Sequence, residues 1–172
     1  MKSGRSTRLY IVGAAGSGKT TLAKRISLKT GIECYHLDDI FYKNENGVQR
    51  SETERNALFS SIINKAEWII EDNGSRACFA EAMNSSDKII LLYPHKFIRA
   101  KRIIKRYLKQ KLGLEETNYK PSIPLTIRMF KGSNSFETGR DGLKERISQF
   151  EQKALILKNN SDINKYISSI SE

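Results

Sequence analysis

Residues 13–20 read Gly-Ala-Ala-Gly-Ser-Gly-Lys-Thr. Gly13, Gly18, Lys19 and Thr20 fill every fixed position of Gly-x-x-x-x-Gly-Lys-Thr, the phosphate-loop pattern. Glycines let such a run turn its backbone N–H groups inward around phosphate oxygens. A helix that starts at the end of the loop adds the positive end of its dipole. The expected cradle is Gly13, Ala14, Ala15, Gly16, Ser17, Gly18, Lys19, Thr20 and Thr21. Lys19 is expected to reach the β- and γ-phosphates, and the Thr20 hydroxyl to ligate Mg²⁺. The ligand this implies is a nucleoside triphosphate.

Carboxylates decide what such a loop does with its ligand. Asp38 and Asp39 follow His36-Leu37, placed by the pattern at the carboxyl end of a second strand. In a parallel sheet that edge faces the ligand. One acid there would accept the proton of an attacking hydroxyl, and Asp38 is also a candidate metal ligand. A third strand, Trp68-Ile69-Ile70, runs into Glu71-Asp72-Asn73. An apolar run ending in an acid is the Walker B arrangement, and either Glu71 or Asp72 fits it. Arg76 is placed to meet a substrate anion. His36 is expected as a packed strand residue and His95 at a helix start, neither with a catalytic role.

Residues 96–111 hold eight Lys or Arg. Phe97, Ala100, Ile104, Tyr107 and Leu108 make an apolar stripe among them, so most of the charges read as a solvated face. Arg99, Arg102 and Arg106 share one side of the helix. Arg102 and Arg106 are the expected cations over a transferring phosphoryl group. Arg128, Lys131 and Arg140 lie in the following stretch, 113–142, read as an irregular lid.

The elements that must position these groups alternate between strand and helix. Strands are expected at 8–12, 33–37, 68–70, 88–93 and 154–157. Helices are expected at 18–30, 51–66, 76–83, 95–112, from 141 or 142, and at 162–170. Ser51 and Glu54 form a capping box. The pattern predicts a three-layer α/β/α sandwich around a five-stranded parallel sheet. At 172 residues the chain suits one domain, 1–172.

The net charge of +11 admits polyanionic partners, including nucleic acid, without requiring them. Cys34 and Cys78 have no metal or disulfide spacing. No apolar run approaches the ~18 residues of a membrane span, and no membrane partner is expected. A cytoplasmic protein is the expectation.

With these blocks in place, the chain resembles the adenylate-kinase-like topology modulation proteins of the FlaR type. The likeness rests on Ile11 to Ala23, on His36-Leu37-Asp38, on Trp68-Ile69-Ile70 followed by an acid and Asn73, and on Asp87 before the apolar strand ending at Pro94. It implies a nucleoside-monophosphate-kinase-like fold with strand order 2-3-1-4-5, ATP and Mg²⁺ as ligands, and an acceptor segment after the second strand. Asp38, Asn73 and Arg76 would then face the acceptor. Such relatives usually read Asp-Gly-Asn-Tyr where this chain has Glu71-Asp72-Asn73-Gly74, so both acids remain candidates for Thr20's partner in holding the metal. The segment 113–142 also lacks the Trp-rich and Pro-Asp pattern of the group. The expected activity is phosphoryl transfer from ATP to a small molecule or nucleotide. The alternative is a nucleotide-dependent nucleic-acid-binding protein with weak ATPase activity.

Overall fold

The computed structural model describes residues 7–43, 48–74, 78–115, 121–139 and 142–170. Five strands, β1 (Arg8–Gly13), β2 (Cys34–His36), β3 (Trp68–Asp72), β4 (Lys88–Leu92) and β5 (Ala154–Leu157), form one sheet in the order β2-β3-β1-β4-β5. Every pairing is parallel. The central strands are apolar on both faces, as strands covered by helices on both sides must be. Tyr10, Ile11, Val12, Trp68, Ile69, Ile70, Ile89 and Ile90 are all sealed from solvent.

Helix α1 (Lys19–Thr30) covers one face with Leu22, Ala23 and Ile26, joined by α8 (Asn160–Ser169) through Tyr166. Gly31 ends α1 in the left-handed region at φ 75°, returning its N–H to Ser27 O at 2.8 Å. The other face is covered by α2 (Leu37–Phe41), α3 (Glu52–Ile63), α4 (Phe79–Ser85), α6 (Ile123–Glu137) and α7 (Leu143–Ser148). Helix α3 opens on the capping box, with Glu54 N donating to Ser51 Oγ and Ser51 N to Glu54 Oε2. It stops at Ile63, short of the expected 66.

Three expectations change. The second strand is shorter than expected, because the chain folds into α2 from Leu37 onward. Asp38 and Asp39 therefore stand in the first turn of a helix and not on a strand end. The stretch expected to be irregular contains α6. Its prolines do not oppose this. Pro124 sits in the first turn, where a missing N–H costs nothing, and the Ser122 hydroxyl accepts from Leu125 N at 3.4 Å. The fourth helix starts at Phe79, with residues 75–77 outside the described ones.

The third change concerns α5 (Lys96–Lys111). Its buried residues are Arg99, Ile103 and Gln110. The lysines are solvated as expected, and the apolar stripe is turned outward with them: Phe97, Ile104 and Leu108 are exposed, and only Ala100 and Tyr107 are half-buried. Arg99 explains the rotation. Its Nε donates to Ser133 Oγ at 2.9 Å, Nη1 to Pro94 O at 2.7 Å and Nη2 to Ser133 O at 3.4 Å. The guanidinium carbon also lies 5.5 Å from the Phe136 ring centroid and 5.9 Å from that of Tyr93. A cation with this many partners can occupy the inner side of a helix, and it locks α5 to α6.

Candidate functional site

The register brings the loop and its neighbours to one edge. Val12 pairs with Asp72, Ile11 with Glu71 and Gly13 with Leu92. The chain leaves β1 at Gly13, turns through residues 14–18 and enters α1 at Lys19. Two glycines are required by this turn. Gly16 has φ 74°, and a Cβ there would lie 2.6 Å from Arg99 O. Gly18 has φ 100° as the N-cap of α1. The loop is thus squeezed between the sheet and α5, with Ser17 N donating to Ala14 O at 3.2 Å. The Ser17 hydroxyl is buried without a hydrogen-bond partner.

Lys19 folds back along the loop, its Nζ donating to Ala14 O at 3.1 Å. Burial holds its pKa below the ordinary value. The charges of Glu71, Asp72 and Asp38 pull the other way, and Arg106 adds to the lowering. These four side chains are therefore close enough to be felt at Lys19.

The two acids at the end of β3 part company, as neighbours on a pleated strand must. Glu71 points toward α1, where its Oε1 accepts from Thr20 Oγ1 at 3.1 Å and meets His36 Nδ1 at 2.7 Å. Its Oε2 is buried and has no hydrogen-bond partner. Burial pushes the Glu71 carboxyl up. The His36 hydrogen bond, the Lys19 charge and the Thr20 hydroxyl outweigh it and leave the pKa lowered. Asp72 points to the opposite face. Its Oδ2 accepts from the Tyr10 hydroxyl at 3.0 Å and from Gly74 N at 2.9 Å, both buried contacts. Gly74 O in turn accepts from Arg146 Nη2 at 3.0 Å. Of the two expected acids, Glu71 is beside Thr20, and Asp72 holds the turn after β3 through Tyr10 and Gly74.

His36 lies in β2, half-buried, and its hydrogen bond with Glu71 raises its pKa, against burial and with help from Glu71 and Asp39 charge. The signal available in the sequence was its spacing before Asp38-Asp39, but its partner lies 35 residues away.

Asp38 and Asp39 are exposed at the mouth of the site, and Asn73 is exposed just past β3. Arg76 lies outside the described residues, as does Arg140. Arg102 reaches the loop from outside, its Nη1 donating to Ser17 O at 2.8 Å and Gly16 O at 3.4 Å. Arg106 is half exposed, with its Nε 3.5 Å from Glu115 Oε1. Arg128 and Lys131 are exposed on α6. Sequence reasoning missed the loop after β5. Lys158, Asn159 and Asn160 line a cleft of about 230 Å³ with Pro94, Arg102 and Ser17. The signal for it was position alone, since a loop following a parallel strand opens on the ligand edge.

Mg²⁺ needs few protein ligands, because it keeps waters and phosphate oxygens around it. The pairing of the Thr20 hydroxyl with Glu71, whose second oxygen is buried and unpaired, fits that demand. Among the described residues, no cluster of three or more His, Cys, Asp or Glu is arranged to hold a metal by itself.

No family model and no curated protein matches the sequence. Solved structures do match in shape. A gluconokinase from Sinorhizobium meliloti 1021 superposes with TM-score 0.57 at 11% identity, over 95% of this chain and 89% of that one. A shikimate kinase from Acinetobacter baumannii, in complex with shikimate, gives 0.57 at 18%, over 96% and 92%. A sugar kinase from Janibacter sp. HTCC2649 gives 0.53 at 15%, over 94% and 93%. At these identities the likeness is one of fold, and the likeness to topology modulation proteins stays with the sequence blocks alone. The fold shared with these three structures is a five-stranded parallel sheet in the order β2-β3-β1-β4-β5 covered by helices on both faces.

Proposed function

We propose that this protein is a small-molecule kinase that transfers the γ-phosphoryl group of ATP to a hydroxyl or phosphate oxygen of its acceptor. One observation carries the reading: Lys19, Thr20 and Glu71 meet on a glycine-bounded loop at the carboxyl edge of a parallel sheet, Lys19 on Ala14 O and Thr20 on Glu71 Oε1. The neighbouring folds named as kinases support it.

Each residue then has a task. The N–H groups of residues 13–21 and the start of α1 hold the phosphate oxygens. Lys19 exchanges its bond to Ala14 O for the β- and γ-phosphates. Thr20 and Glu71 would hold Mg²⁺, and His36 fixes the Glu71 carboxylate through its hydrogen bond to Oε1. Mg²⁺ neutralises charge on the phosphate oxygens when bound. Asp38, with Asp39 as the alternative, accepts the proton of the attacking hydroxyl as its oxygen bonds to the γ-phosphorus. The bond from that phosphorus to the β–γ bridging oxygen breaks, and ADP leaves. Arg106, whose charge already reaches Lys19, offsets the charge of the phosphoryl group in flight. Arg102 is the better candidate for fixing the loop and flanking the nucleotide base. The 230 Å³ cleft between Pro94, Arg102 and residues 158–160 is the proposed base site. Asn73 and Arg76 would face the acceptor.

The test is ADP release from ATP and Mg²⁺ with pooled acceptors, beside a Lys19→Ala control. One pool should raise the rate well above the acceptor-free background, and Lys19→Ala should abolish the increase. Background rates in every pool, with ATP still bound, would overturn the kinase reading.

A further inference from the structure

Helix α5 is where positive charge and apolar surface are both left over. Half of its sixteen residues are Lys or Arg and none is acidic. Its three arginines go to the interior, to the loop and to Glu115. Its five lysines are all exposed, and among the described residues none of them pairs with a carboxylate.

Between those lysines runs the stripe that the Arg99 anchor turned away from the core. Phe97 is 71% exposed, Ile104 49%, Leu108 50% and Leu112, at the C-cap, 71%. With Lys101 they fall at steps of three and four residues, so they form one line along a helix about 24 Å long. Lys105 and Lys109 flank the line on one side and Lys111 on the other.

Three kinds of partner could cover such a face, and its chemistry separates them. A second copy would bring two wholly basic helices together, and like charges oppose that contact. Nucleic acid would use the lysines but has no use for Ile104, Leu108 and Leu112. Binding single strands needs aromatic platforms, and Phe97 is alone on this face. An anionic bilayer uses both halves. Lysine stems lie along apolar surface while their ammonium groups reach the headgroups, and aliphatic side chains enter the acyl boundary. We propose that the outer face of α5 docks this protein on an anionic lipid surface, with the helix lying in the plane of the interface. No described helix is long and apolar enough to cross a membrane, so the attachment is peripheral. The proposal does not depend on the kinase reading, because none of the stripe residues belongs to the nucleotide site.

The test is flotation of the full-length protein with vesicles of phosphatidylcholine alone, or of phosphatidylcholine mixed with phosphatidylglycerol. Binding is expected only to the mixed vesicles and should fall steeply as salt is added. The pair Lys101→Gln with Lys105→Gln should weaken it on the order of tenfold. The pair Leu108→Ser with Leu112→Ser should weaken it by a similar factor. Both variants should keep wild-type nucleotide binding and melting, which separates lost docking from lost folding. Should the leucine pair melt early, the lysine pair decides by itself. Equal binding to both vesicles, or to neither, would overturn the proposal. So would tighter binding to duplex DNA than to the mixed vesicles at the same salt, or a dimer that the leucine pair dissolves in a protein that ignores vesicles.

Discussion

Glu71 and Asp72 are adjacent, equally charged and both largely hidden, yet they do opposite things. Glu71 has one oxygen shared between Thr20 and His36 and another left without a partner in a buried position. Asp72 has its Oδ2 saturated by two buried donors, Tyr10 and Gly74, that no solvent reaches. An unsatisfied buried oxygen costs the fold free energy, and such costs gather where a ligand is to be met. An oxygen that already accepts two buried donors stabilises the fold. The pleat of β3 creates the difference, since it sends the first acid toward the phosphate loop and the second toward the Tyr10 side of the sheet.

The contrast breaks most visibly in the chemistry. Glu71→Gln keeps the shape and removes the charge. We expect nucleotide turnover to fall on the order of a hundredfold, with stability lowered by no more than the roughly 1 kcal/mol of charge attraction to His36, because the side chain keeps its size. Steady-state turnover at saturating Mg²⁺, paired with a thermal melt, checks it. Turnover near wild type would remove Glu71 from the site.

The converse substitution acts on the fold. Asp72→Ala removes the buried acceptor of the Tyr10 hydroxyl and of Gly74 N–H. Orphaned buried donors cost about 1–3 kcal/mol each, so a loss of roughly 3 kcal/mol is expected. For a chain of this length that lowers Tm by about 6–12 °C. Turnover measured well below the melt should stay near wild type. A stable Asp72→Ala protein with lost turnover would exchange the roles of the two acids.

These acids also mark how far the amino-acid sequence alone could be read. The loop, α1 and the strands of the sheet follow from local patterns, a fixed glycine spacing, apolar runs and a stop at Gly31, whereas the strand order came only with the family resemblance. That the end of β3 carries a loop-facing acid was also legible, but which one was not. The choice turns on Tyr10 and Thr20, 62 and 51 residues away in sequence. The same limit explains α5. Its apolar stripe has helical periodicity, and periodicity says that a helix has a special face without saying what lies against it. The inward face went to Arg99 because Ser133, from a helix whose prolines disguised it, supplies the partners. Asp38 and Asp39 were expected at a strand end and stand in a short helix, because the chain turns one residue after β2. Both follow β2 directly, at the carboxyl edge of the sheet where the loop also leaves β1.

The smallest expected effect concerns the pair His36 and Glu71, where pH separates charge from shape. His36 has its pKa raised, so its contribution is full below its ordinary value of 6.5 and fades as pH climbs through the raised one. Glu71 has its pKa lowered, so its contribution is full above its ordinary value of 4.5 and fades as pH falls through the lowered one. The ion pair is therefore whole between about pH 4.5 and 6.5. Above that window a neutral imidazole still donates through Nδ1, and only the charge attraction is lost. With side-chain exposures of 27% and 13%, the pair is screened in part, and that attraction is worth about 1 kcal/mol. Denaturant unfolding of wild type and His36→Gln across this range should show the largest stability gap at pH 5.5–6.5, narrowing as the solution turns alkaline. A gap that stays constant with pH would mean that His36 holds Glu71 by shape and hydrogen bonding alone.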